Sequence, residues 1–88
     1  MAQVASRLKE LAEELRVVQD QLSHLSEEAD DLSLRAMVSE TPAATFEYRD
    51  ARRHADAMLS RRDSIVAEMA ELEKKMNDYL DKMQESRQ

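Results

Sequence analysis

The chain has 88 residues, with no glycine, no cysteine, one proline and three aromatic side chains. Without cysteine there is no disulfide framework or thiolate metal site, and so few aromatic residues cannot fill an ordinary globular core, so we expect one elongated helical domain. Nineteen acidic against thirteen basic residues give a formal charge of −6. This balance disfavours nucleic acid as a direct ligand, because binding to phosphates requires a basic surface.

A heptad repeat dominates the first half of the chain. Apolar residues recur every seven positions in two interleaved series, a spacing typical of the seam of a coiled coil. The pattern predicts a first helix over about 3–38. The two series are Val4, Leu11, Val18, Leu25 and Leu32, and Leu8, Leu15, Leu22, Ala29 and Ala36.

The repeat is interrupted once, at a Ser-Glu-Thr-Pro sequence that predicts a turn at about 39–41. Thr41 can cap the next helix with its hydroxyl, and Pro42 suits the first helical position, where its missing N–H is not needed. A second helix is expected over about 42–86, and it continues the heptad pattern. Its two seam series are Tyr48, Ala55, Arg62, Met69, Met76 and Met83, and Ala51, Met58, Ile65, Leu72 and Tyr79.

Two long amphipathic helices joined by so short a connection must lie antiparallel, and two registers fit the pattern. The shorter register places Leu15 opposite Ile65. A register one heptad longer places Leu15 opposite Leu72 and brings Glu28 toward Arg61. The Thr-Pro cap favours the shorter one.

The apolar surface of the second helix exceeds what one partner helix can cover. Leu59, Val66 and Leu80 widen its apolar face, and in the shorter register the helix extends past the start of the first, leaving Tyr79 and Met83 uncovered. Small residues lie on the equivalent flank of the first helix. We therefore predict an all-α, antiparallel two-helix coiled-coil hairpin that dimerises into a four-helix bundle, with a hetero-oligomer as the alternative.

Arg62 occupies a seam position, which is unusual for a charged residue. One interpretation is that its methylenes pack on the seam while the guanidinium reaches a surface carboxylate. The alternative is that a polar seam residue fixes register or oligomeric state at a cost in stability.

Charged residues cluster on both sides of the turn. Acidic residues dominate the end of the first helix and arginines the start of the second, so the charges can compensate each other across the hairpin. The alternative is a partner that contacts the turn region. The candidate contact residues are Glu40, Glu47, Arg49, Arg52 and Arg53.

No pattern in the sequence indicates catalysis. It contains no phosphate-binding glycine loop, nucleophile elbow or paired metal-ligand spacing, so we expect no enzyme activity, no cofactor and no metal. His24 and His54 are expected as surface imidazoles, the latter near Glu28. No apolar run is long enough for a membrane span, and no leader sequence is apparent, so we expect a soluble, cytoplasmic protein.

Two family resemblances bear on function. Glu47-Tyr48-x-x-Ala51-Arg52 and the later Ala70-Glu71-Leu72-Glu73 resemble the coiled coil of the bacterial Gre transcript-cleavage factors, which insert an acidic tip into RNA polymerase. The Gly-Asp-Leu-Ser-Glu-Asn type tip motif of that family is absent, so the resemblance implies a polymerase contact without cleavage chemistry. The length and hairpin shape also look like the small WXG-type secretion substrates, although the diagnostic Trp-x-Gly is absent.

These observations favour a non-enzymatic interaction or scaffold module. We expect the protein to bind itself and to dock a larger, unidentified protein through its turn or its C-terminal end. The alternatives are a small regulator of a nucleic-acid machine such as RNA polymerase, acting through the charged turn, and a helical-hairpin secretion substrate.

Overall fold

The computed structural model describes residues 2–86, which form two helices joined by a short turn. Helix α1 spans Ala2–Ser39 and helix α2 spans Pro42–Ser86. No strand occurs among these residues, and the helices pack along each other, so the predicted helical hairpin is confirmed. Helix α1 begins and ends one residue outside the range expected from the sequence. The predicted domain includes Met1, Arg87 and Gln88, which lie outside the described residues.

The turn is built by the residues that the sequence singles out. The hydroxyl oxygen of Thr41 accepts a hydrogen bond from the backbone N–H of Ala44 at 3.2 Å, which is the geometry of an N-cap. Pro42 occupies the first position of α2. Glu40 adopts a left-handed conformation with φ of 53°, and its N–H donates to the carbonyl of Ala36 at 3.2 Å. One left-handed residue therefore ends α1, and the next residue caps α2.

The core of the hairpin is the predicted seam. Leu11, Val18 and Ile65 form its buried cluster, and Leu11 is only 1 % exposed. All ten predicted seam residues of α1 are buried or half-buried, as are those of α2 from Tyr48 to Met76. The residues packed against the buried cluster are Leu15, Met58, Met69 and Leu72.

The contacts between the helices select the shorter register. Arg61 contacts Glu14, whereas the longer register would bring Arg61 toward Glu28. One heptad further from the turn, Arg7 contacts Glu68 at 2.9 Å. The two contacts step by seven residues on both helices, as expected for a continuous antiparallel seam.

The molecule is a rod with principal extents of 71 × 16 × 13 Å. Because α2 is longer than α1, its end has no neighbouring helix. Met76 is the last half-buried residue of α2, and every residue from 77 to 86 is exposed. We call residues 77–86 the C-terminal overhang.

Candidate interaction surfaces

One side of the hairpin, the charged flank, is closed by ion pairs between the helices. It contains the Arg7–Glu68 pair and the Glu14–Arg61 pair. Arg7 also contacts Glu10 within α1 at 3.3 Å. Hydrogen bonds to Glu10 and Glu68 raise the pKa of Arg7. Charged side chains therefore border this edge of the seam where the two ion pairs lie.

The opposite side, which we call the apolar flank, has a different character. Since the ion pairs occupy one edge of the seam, the residues that border the other edge face away from them. On α2 this edge presents Leu59, Val66 and Leu80, all of which are partly exposed to solvent. On α1 it presents small residues, so the surface there is shallow. These are Ala5, Ala12, Ser26 and Ser33.

Arg62 lies at the seam and is half-buried. Its Nη2 donates to Oδ1 of Asp63 at 2.8 Å, and its Nε donates to the same oxygen at 3.2 Å. The side chain is 35 % exposed, so the methylenes contribute to the seam while the guanidinium reaches the surface. Both proposed roles of Arg62, packing on the seam and fixing the register or oligomeric state, stay predictions.

The C-terminal overhang continues the heptad seam without a partner helix. Tyr79 and Met83 occupy seam positions and are 45 % and 49 % exposed, and Leu80 is similarly open. A shallow groove lined by Lys75, Asp78, Tyr79 and Lys82 lies beside them. The overhang thus presents the apolar stripe that the sequence predicts.

The charged residues near the turn do not pair across the hairpin. Arg52 contacts Asp56 of its own helix at 3.6 Å. Among residues 2–86, Arg49 and Arg53 have no carboxylate within ion-pair distance, and both cross-helix ion pairs lie far from the turn. Direct charge compensation across the hairpin therefore does not form at this end. Glu40 and Glu47 are exposed as well.

The turn end also carries an apolar surface that the heptad pattern missed. We call it the turn patch. Its members occupy positions outside the seam, and Val38 is 86 % exposed. An open groove lies between the helices here, lined in part by Leu34, Val38 and Ala44. Apolar residues at outward positions were the sequence signal that could have revealed it. The patch comprises Leu34, Met37, Val38 and Phe46.

The histidines pair with acidic residues one turn away. His24 lies 3.8 Å from Asp20, and His54 lies 3.7 Å from Asp50. His54 also lines a groove together with Glu28, close to where the sequence places it. Within the described range, no three His, Asp or Glu side chains are grouped as a metal site would require.

No protein-family model, curated protein or solved structure matches the chain. Neither the Gre-like nor the WXG-like resemblance therefore gains support from these comparisons. Over residues 2–86, neither helix has a stretch both long and apolar enough to cross a membrane.

Proposed function

We propose that this protein is a non-enzymatic coiled-coil interaction module that oligomerises and docks a larger protein. The observation that carries the proposal is the uncovered seam of the C-terminal overhang. Tyr79 and Met83 have the spacing of core residues and the exposure of surface residues. An apolar stripe with core spacing and no covering helix is typical of a protein interaction site.

The two ends of the rod offer separate contacts. The turn patch and the C-terminal overhang lie at opposite ends of a rod 71 Å long, so one partner can occupy each end at the same time. An α-helix of a partner that packs on Tyr79 and Met83 would extend the seam by about two to three turns. We propose the cytoplasm as the location, since a chain without cysteine suits a reducing compartment.

Self-association is the simplest way to cover the apolar flank. A second hairpin placed against Leu59, Val66 and Leu80 would turn the two-helix rod into a four-helix bundle. The small residues of α1 on the same flank would allow the close approach that such a bundle needs.

Light scattering on the purified full chain tests the proposal. We expect a dimer at tens of micromolar, and we expect a chain truncated after Asn77 to assemble less well while remaining helical by circular dichroism. A Tyr79→Gln and Met83→Gln double variant should reproduce the loss, whereas the matched variant Asp78→Asn with Asp81→Asn should not. A full chain that is monomeric at this concentration would reject the self-association.

A second candidate function is regulation of a nucleic-acid machine such as RNA polymerase through the turn. It is favoured by the arginines that find no ion pair in the hairpin, Arg49 and Arg53. Replacing Arg49, Arg52 and Arg53 together with Ala should abolish binding to purified polymerase and leave helix content unchanged. If the wild-type chain does not bind polymerase at low salt, this function is rejected.

A further inference from the structure

We infer that two copies of this chain pair in antiparallel orientation through the apolar flank, about a two-fold axis that passes between Arg62 and Asp63. The inference rests on the proposed self-association and specifies its geometry. It follows from the order of residues along the flank of α2, from the uncharged flank of α1, and from the surface that the single hairpin leaves exposed.

The flank of α2 is complementary to itself when it is read in reverse. At seven-residue spacing it carries Thr45, Arg52, Leu59, Val66, Glu73 and Leu80. Laid antiparallel on a second copy with its centre between Leu59 and Val66, this row places Leu59 opposite Val66 and Arg52 opposite Glu73. Apolar side chains then face apolar side chains, and each arginine faces a glutamate. Because the arrangement is two-fold symmetric, each of these pairs forms twice.

Neighbouring registers lack this match. Shifting the pair by one heptad in one direction places Arg52 opposite Val66 and Leu59 opposite its own copy. The opposite shift places Leu59 opposite Glu73. Each alternative buries a charged group against an aliphatic one, which is unfavourable without a polar partner. The row therefore specifies one register.

The flank of α1 sets no register of its own. Its row is Ala5, Ala12, Gln19, Ser26 and Ser33, uncharged throughout. Within the hairpin the part of this row near Ala12 and Gln19 lies at the height of the α2 centre, because Glu14 contacts Arg61 and Leu15 packs on the cluster that contains Ile65. An uncharged row of small and polar residues accepts a second copy of itself at the height that α2 sets, so one two-fold axis serves both helices, with α1 facing α1 and α2 facing α2.

The axis gives Arg62 a role in the dimer. In this register, Arg62 of one copy lies level with Asp63 of the other. Each copy already holds its own Arg62–Asp63 hydrogen bond at 2.8 Å, so the dimer brings two such pairs together. The four side chains can exchange partners across the axis and place alternating charges at the centre of the interface.

The ends of the rods are also matched. In the antiparallel dimer, the C-terminal overhang of one copy extends along the first turns of α2 of the other, where Thr45 and Phe46 lie. Tyr79 and Met83 thereby gain an apolar neighbour near the turn patch. Two exposed surfaces at opposite ends of a rod 71 Å long thus meet in the dimer.

The surface of the single chain is consistent with a partner of this size. The hairpin exposes 6911 Å². A compact monomer of 10.2 kDa is expected to expose about 5,300 Å². The excess of about 1,600 Å² falls within the roughly 1,000–2,500 Å² per subunit that obligate dimers bury.

Charge reversal with rescue tests the register. Arg52→Glu or Glu73→Arg alone should weaken the dimer by about tenfold or more, since each change creates two repulsive pairs. The double variant should restore the wild-type dissociation constant to within about threefold, measured by sedimentation equilibrium. Arg53→Glu changes the same charge at the neighbouring outward position and serves as the matched control.

Cross-linking provides a second measurement, because the chain has no cysteine of its own. A mixture of Leu59→Cys and Val66→Cys chains should form a disulfide-linked dimer under mild oxidation. Either variant alone should not form this disulfide. In its dimer the two cysteines, one from each copy, are offset by one heptad, which is about 10.5 Å along the helix axis and beyond disulfide reach.

The outcomes separate the two proposals. A wild-type chain that stays monomeric rejects the proposed self-association and this geometry with it. A wild-type dimer in which the charges show no rescue, and in which the mixed cysteine variants do not cross-link, rejects the antiparallel register alone.

Discussion

Glu40 ends α1 in a conformation that side chains other than glycine rarely adopt. Its φ of 53° brings Cβ close to the carbonyl oxygen, which costs about 1–2 kcal/mol relative to the right-handed region. Glycine avoids this cost and is the preferred residue at the end of a helix. We predict that Glu40→Gly raises the free energy of unfolding by about 1 kcal/mol in urea titrations. Glu40→Ala keeps the unfavourable Cβ and should change stability little, and an equal gain in both variants would assign the effect to loss of the charge.

Thr41 caps α2 through a single hydrogen bond. Removing the hydroxyl with Thr41→Ala leaves the N–H of Ala44 without its intramolecular acceptor. We predict a loss of about 1 kcal/mol in the free energy of unfolding, while Thr41→Ser should retain most of the stability. Urea denaturation followed by circular dichroism measures both, and equal stability of the Ala and Ser variants would contradict the capping role.

Arg62 combines seam position with partial burial. If its role is only to pack methylenes, Arg62→Leu should raise the melting temperature and leave the oligomeric state unchanged. If Arg62 and Asp63 define the centre of the dimer, the same variant should melt higher but assemble into a mixture of species. Calorimetry together with light scattering distinguishes the two, and we predict the mixture.

At the scale of the helices, stability depends on the far half of the seam. Leu11 is the most deeply buried large side chain and packs with Val18 and Ile65. We predict that Leu11→Ala destabilises the hairpin by about 2–4 kcal/mol, since a narrow two-helix core leaves few neighbours to fill the cavity. The matched control is Leu34→Ala in the turn patch. Thermal melting of this variant should show a change in the free energy of unfolding below about 0.5 kcal/mol.

The seam was readable from the sequence because a heptad repeat specifies which side of each helix is covered. The alternation of Leu, Val and Ala in α1 identifies its buried residues, and Thr41 with Pro42 fixes the turn and hence the register. The turn patch was not readable in this way, because Val38 and Phe46 lie outside the repeat and only the fold brings them to one end. The role of the charges at the turn stays a prediction: Arg52 contacts Asp56 within its own helix, an i, i+4 pair that the sequence pattern did not single out.

At the scale of the whole molecule, shape provides a prediction. The single hairpin is 71 Å long with a Cα radius of gyration of 20.2 Å. The proposed antiparallel dimer overlaps almost completely, so small-angle scattering should show a maximum dimension only about 5 Å longer than that of the rod. A dimer joined end to end through the C-terminal overhangs would be far longer. A maximum dimension well beyond about 100 Å would therefore contradict side-by-side pairing.

The short turn has a consequence for how the hairpin forms. Contacts next to Thr41 close a small loop, whereas the pair of Arg7 with Glu68 joins residues 61 positions apart. Because the entropic cost of loop closure rises with length, we expect the two helices to zip together from the turn toward their free ends. Amide hydrogens near Ala2 and in residues 77–86 should then exchange fastest, and those beside the buried Ala29 and Ala51 more slowly. The helix contacts that form last are therefore those at the end that carries the C-terminal overhang, the same end at which α2 leaves a seam surface uncovered for a second chain.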